Sequence, residues 1–242
     1  MNVIFVKDYD EMSEKTYELI AQVVKENEEP IVGLTTGGTP RGLMKLLVER
    51  VNANELDLSN TSIVNLDEYI GPRDAVYSSR TYMYDNLYNK IETKPKNIFI
   101  PDGSVEDLDA EIKRYNDILA QYPTHIQICG LGINGHIGAN EPGTPFDSTT
   151  FIAKFEEITI ETTMKEYGVS REDCPTEMLT AGFKEILESK HVVVMVSGSH
   201  KAEAVKAVLE GPVTTDWPVT NFKDKDNVTF IIDEEAASLL SK

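Results

Sequence analysis

At 242 residues with a 40% hydrophobic share, the chain can build one large α/β domain or two small ones with ordinary cores. Forty-one acidic against 23 basic residues leave a net charge of −18, which argues against nucleic acid and anionic membranes as partners. No apolar run approaches the roughly 20 residues of a bilayer span. The N-terminus turns acidic too early for a secretion signal, and Cys129 and Cys174, in no paired or metal-like spacing, suit a reducing cytoplasm.

Short β-branched runs alternate with amphipathic stretches. "VIFV" (3–6) precedes a helical pattern from Met12 to Val24, and "IVGL" (31–34) precedes one from Pro40 to Val51. "SIVNL" (62–66) leads through a loop to "RTYMYDNLYNKI", and "NIFI" (97–100) to a helix over Val105–Leu119. "HIQICGL" (125–131) runs into a glycine-rich loop. "HVVVMVSG" (191–198) precedes Lys201–Leu209, and "NVTFII" (227–232) precedes a helical pattern from Glu234 to Leu240. Near-continuous apolar strands alternating with helices predict a mostly parallel, Rossmann-like sheet covered on both faces, in a single domain over 1–242. Residues 150–180 break the alternation. They read as a polar, irregular surface excursion or as a lid, placed at about 155–178.

In open parallel sheets, ligands bind beyond the carboxyl ends of the strands, and the unusual loops of this chain leave from that edge. "TTGGTP" joins the second strand to a helix. Thr39 is expected to cap that helix, with Pro40 in its first turn. Gly37 and Gly38 expose backbone N–H groups at a helix start, which suits an anion despite the acidic whole. The spacing matches neither a Walker A loop nor the dinucleotide fingerprint. After the third strand, Asp67 and Glu68 are adjacent on an extended chain, so they point opposite ways and are expected to serve different tasks. "GLGINGHIGANEPGT" (130–144) places His136 among glycines with Asn134 and Glu141 near enough to fold back on its ring. A carboxylate on one ring nitrogen fixes the tautomer and leaves the other nitrogen for a substrate proton. No second His or Cys stands at ligand spacing, so no metal is expected. Lys201 in "SGSHKAEAV" stands near a helix start and can add a cation to an oxyanion site.

Together "TTGGTP", "NLDEYIG", "FIPDG", "GLGINGHIGANEPGT", "LTAG" and "SGSHKAEAVKAVLEG" resemble the glucosamine-6-phosphate deaminase (isomerase) family, in its order and over nearly the whole chain. The related 6-phosphogluconolactonases share the fold and a glycine–histidine loop, but "DEY" and "NEP" look like the deaminase side. The resemblance implies a Rossmann-like fold and conversion of an amino-sugar 6-phosphate to a ketose 6-phosphate and ammonia, with no organic cofactor. It implies that His136 opens the pyranose ring, oriented by Glu141 and Asn134. Asp67 matches the base that moves the C2 proton to C1. Thr36, Gly37, Gly38, Thr39 and Lys201 match the phosphate contacts. The lid departs from the family, which carries "ANxRxF" before the "VP" corresponding to Cys174–Pro175. Arg171 is the candidate for the missing lid arginine. Activated members place Arg and Lys where this chain has Phe151 and Ala153, so activation by an acetylated sugar phosphate is not expected. Glucosamine 6-phosphate is the expected substrate. Galactosamine 6-phosphate, a lactonase-like hydrolysis and an inactive sugar-phosphate-binding regulator are the alternatives. The oligomeric state is not legible.

Overall fold

Two sheets organise the computed structural model, which describes residues 1–241. The strands are β1 (Asn2–Val6), β2 (Ile31–Leu34), β3 (Ser62–Asn65), β4 (Asp67–Tyr69) and β5 (Asn97–Phe99), followed by β6 (Ile126–Gly130), β7 (Phe151–Lys154), β8 (Glu177–Thr180), β9 (Val192–Val196) and β10 (Val228–Asp233). The helices are α1 (Tyr9–Glu26), α2 (Arg41–Asn52), α3 (Ser79–Met83), α4 (Leu108–Gln121), α5 (Glu157–Tyr167), α6 (Phe183–Leu187) and α7 (Ala202–Glu210). Seven strands pair in the order β1-β10-β9-β6-β2-β3-β5, every pairing parallel. This is the predicted α/β sheet.

β9 shows why the strands are continuous apolar runs. All five of its residues are buried, but successive side chains face opposite layers. Val193 and Met195 enter a cluster with Met12 and Ile20 of α1 and Leu43 and Leu47 of α2. Val192, Val194 and Val196 enter the other, with Val205 and Val208 of α7, Phe183 and Phe222. Each such side chain contributes roughly 1.5–3 kcal/mol of burial, so a polar substitution in β9 strips support from one helical layer.

The order of strands reverses at the β2–β6 border, where β2, β3 and β5 build outward to one edge and β6, β9 and β10 toward the other, which β1 closes. The loops leaving β2 and β6 therefore diverge and open a crevice, with the ends of β3 and β9 on either side.

Four sequence expectations are corrected. The segment 150–180 is not irregular: β7 and β8 pair antiparallel, and β8 pairs antiparallel with β4, with Asp67 opposite Thr180. α5 joins them. Thr39 does not cap α2; Pro40 occupies the cap position, and the first-turn N–H of Gly42 is taken by the Tyr9 hydroxyl at 2.7 Å. A tertiary acceptor has replaced the local one, freeing the Thr39 side chain for the crevice. The stretch 234–240 forms turns rather than a helix. Its bonds, Ala237 N–H to Asp233 O, Ser238 to Glu235 and Leu240 to Ala237, mix spacings and never propagate. Finally, the region 80–91 is split between the short α3 and a π-helical turn at Tyr84–Tyr88.

Candidate active site

The crevice is a pocket of about 210 Å³, lined by Thr36–Thr39, Asp67, His136 and Lys201, and roofed by Thr159, Thr162, Thr163 and Glu166 of α5. Asn134 and Glu141 stand behind His136 rather than in its wall. A larger cavity of about 390 Å³, between Asn116 of α4, Gln127 of β6 and Lys184 of α6, gathers none of these residues.

One end of the pocket can accept an anion. Gly37 takes φ of +99°, a conformation that favours glycine, and turns the chain sharply after β2. Tyr82 donates its hydroxyl to the carbonyl of Gly37 at 2.9 Å, holding that oxygen, and Tyr9 reaches the Gly38 carbonyl at 3.4 Å. Among the described residues, no hydrogen bond uses the N–H groups of Thr36, Gly37, Gly38 or Thr39. Those four amides, in the loop that leads into α2, can serve an anion as a cradle of positive dipoles. Lys201 faces it from the turn after β9, and burial pulls its ammonium down to about 8, with the nearby Glu166 opposing the fall. Arg41, the first residue of α2, lies 3.3 Å from Glu166.

Asp67 forms the middle of the wall. Its strand, β4, is pinned to β8, so the carboxylate position is set by a second sheet rather than by a loop. Burial, with 5% of the residue exposed, pushes its carboxyl up to about 7; the neighbouring Glu68 charge adds to the rise and Ser79 opposes it. Glu68 points the other way, as the alternation predicts. It accepts from the Ser78 hydroxyl at 2.9 Å and from the N–H groups of Ser79 at 2.7 Å and Arg80 at 3.0 Å, closing the N-terminus of α3. One acid faces the pocket; the other anchors a helix.

His136 forms the far end. A methyl group built on Gly132 would stand 2.4 Å from the imidazole, so only glycine lets the ring lie against this loop. Glu141 Oε2 is 3.5 Å from Nδ1 of His136 and accepts from Nδ2 of Asn134 at 2.6 Å. Asn134 Oδ1 in turn accepts from the His136 backbone N–H at 3.3 Å. Burial raises the Glu141 carboxyl, but His136, Thr159 and Asn134 outweigh it and hold it below its ordinary value. An ionised carboxylate thus backs an imidazole whose other edge opens on the pocket, an arrangement able to shuttle a proton.

The structure brings Thr36, Gly37, Gly38, Thr39, Asp67, His136 and Lys201 to one cavity, with Asn134 and Glu141 supporting His136. It does not bring Arg171 there. That guanidinium is exposed and paired bidentately to Glu157, at 2.6 and 2.9 Å. Phe151 and Ala153 lie on β7 and join the small apolar cluster around Ala139 and Met178. Sequence reasoning missed Thr180, whose hydroxyl accepts from the Ala139 N–H at 3.1 Å, and the α5 residues above the pocket. Thr180 was within reach, since it sits in the "LTAG" motif; Glu166 carried no local signal.

Residues 8–231 match the family described as glucosamine-6-phosphate isomerases/6-phosphogluconolactonase. The chain is 42% identical over 243 residues to a glucosamine-6-phosphate deaminase of Pediococcus pentosaceus, spanning 100% of this chain and 99% of that one. It is 40% identical over 242 residues to the corresponding deaminase of Thermoanaerobacter sp. strain X514, spanning 99% and 95%. Among solved structures, a monomeric glucosamine-6-phosphate deaminase superposes with a TM-score of 0.95 at 39% identity, over 99% of this chain and 100% of that one. A 6-phosphogluconolactonase from Trypanosoma cruzi reaches a TM-score of 0.75 at 17% identity, over 100% and 97%, a likeness of fold alone.

Proposed function

The chain belongs to the glucosamine-6-phosphate isomerase/6-phosphogluconolactonase family, and on that footing we propose that it converts glucosamine 6-phosphate to fructose 6-phosphate and ammonia. The observation that carries the reading is Asp67, a buried carboxyl held near 7 in the wall of a pocket with an anion cradle at one end and a backed histidine at the other. Abstracting a proton from carbon next to a carbonyl asks for a base of that kind. A lactone hydrolysis would ask a base only to activate water, with no carbon-bound proton to move.

In this reading the substrate phosphate sits on the N–H groups of Thr36, Gly37, Gly38 and Thr39 with Lys201 beside it. The sugar then spans the pocket toward His136. The imidazole takes the proton of the C1 hydroxyl and delivers one to the ring oxygen, breaking the C1–O5 bond and giving the open-chain aldehyde. Glu141 carries the negative charge that stabilises the transient imidazolium, and Asn134 keeps that carboxylate in place. Asp67 removes the C2 proton while the C1 carbonyl oxygen takes up a proton released by the substrate's own C2 ammonium, producing an enolamine, and Asp67 then returns its proton to C1. The resulting imine at C2 adds water and expels ammonia, leaving the ketone. Electrons and protons balance within the substrate and one water.

No helix among the described residues is long and apolar enough to cross a membrane. We assign the reaction to the cytoplasm, a reading supported by two cysteines that are both free and buried. The test is simultaneous assay of ammonia and ketose release from glucosamine 6-phosphate, galactosamine 6-phosphate and 6-phosphogluconolactone. Glucosamine 6-phosphate should be turned over fastest, with one ammonia per ketose. Preference for the galacto epimer would reassign the substrate, and hydrolysis of the lactone alone would overturn the reading.

A further inference from the structure

Glu166 stands where local physics disfavours it. It is the penultimate residue of α5, so its charge sits at the negative end of its own helix dipole. What holds it is tertiary. A methyl group built on Gly38 would lie 3.7 Å from its Oε1, and one on Gly37 4.0 Å from both carboxylate oxygens. Its charge reaches Lys201, and Arg41 approaches Oε1 to 3.3 Å. The carboxylate therefore hangs over the glycine cradle, among the groups that an incoming anion would use. Arg41 is tethered at this spot by its place as first residue of α2 and by the face of the Tyr82 ring, 6.0 Å from its guanidinium carbon.

We propose that Glu166 is a built-in competitor of the substrate phosphate, standing over its cradle, and that Arg41 is the second cation of that cradle, passed from Glu166 to the substrate phosphate on binding. This rests on the phosphate end of the reading above and assigns it two residues beyond Lys201 and the glycine loop. The exchange is an ion swap. The dianion takes the amides, Lys201 and Arg41, while the Glu166 carboxylate rotates out to solvent, which it already reaches with 23% of its side chain exposed.

The test is titration of inorganic phosphate into the protein by calorimetry, with Arg41→Ala, Glu166→Gln and Lys201→Ala alongside, their fold checked by circular dichroism. The swap predicts opposite signs. Glu166→Gln should tighten phosphate binding about five- to tenfold, because the competitor is gone. Arg41→Ala should weaken it by about the same factor. An ion pair that merely braces α5 is lost equally in both variants, so shifts in the same direction, or none, would overturn the proposal. If neither the wild type nor Glu166→Gln binds phosphate, and Lys201→Ala changes nothing, the phosphate site itself is misplaced and this proposal falls with it. Loss in Lys201→Ala with Arg41 and Glu166 silent would leave the site standing and refute the swap alone.

Discussion

Replacing Asp67 by Asn removes a charge whose burial the folded protein must bear, so the inactive variant should also be the more stable one at high pH. The carboxyl moves from 3.8 to about 7 on folding. Between those values the folded state holds a proton that the unfolded state releases, so stability falls as pH rises through this window. Above about 7 both states are ionised and the full cost remains, roughly 4 kcal/mol for a displacement of that size. The amide needs desolvation of its own, which reduces the gain to about 1–3 kcal/mol. Urea unfolding of both proteins at pH 5 and pH 8.5 reads the effect. The advantage of Asp67→Asn should be larger at pH 8.5, while turnover drops by about two to four decades, the range of a lost general base. A stability difference that is flat with pH, or larger at pH 5, would refute the account of this carboxyl.

The same ionisation should give kcat/KM an acidic limb near pH 7, activity falling as Asp67 takes up a proton; a pH–rate profile on the wild type with no break above pH 5 would contradict this. His136→Gln should lose most activity on the cyclic amino sugar and less in the reverse direction, which starts from open-chain fructose 6-phosphate; equal losses would deny a role confined to ring opening. Gly132→Ala places a methyl 2.4 Å from the imidazole and should cost about ten- to a hundredfold in kcat with an unchanged far-ultraviolet spectrum. Arg171→Ala, removing an exposed pair with Glu157, should leave KM within about twofold, as measured by steady-state kinetics.

What the sequence disclosed follows the physics that each residue answers to. Strands buried on both faces must be apolar throughout, so β9 and β10 were legible. The opposite duties of Asp67 and Glu68 follow from the two-residue period alone. The second sheet was hidden because "DEY", "FIAK" and "EMLT" are short and unpatterned, and "DEY" owes its existence to pairing with "EMLT" across more than a hundred residues. The cap of α2 was misread because the winning acceptor, Tyr9, is 33 positions away. His136 and Glu141 were readable as neighbours in one loop. Glu166 was not, since only the docking of α5 brings it over Gly37 and Gly38.

Deuterium at C2 of glucosamine 6-phosphate offers the most direct test that Asp67 moves the C2 proton in an amino-sugar deamination. Nuclear magnetic resonance on one sample can follow the C2 label, its arrival at C1 of the product, and the ammonium released. The wild type should break the C2–deuterium bond once per ammonium, with part of the label appearing at C1 and the rest in solvent. Asp67→Asn should leave the label at C2 and release no ammonium on the same timescale. Loss of the C2 label from Asp67→Asn at close to the wild-type rate would contradict the account.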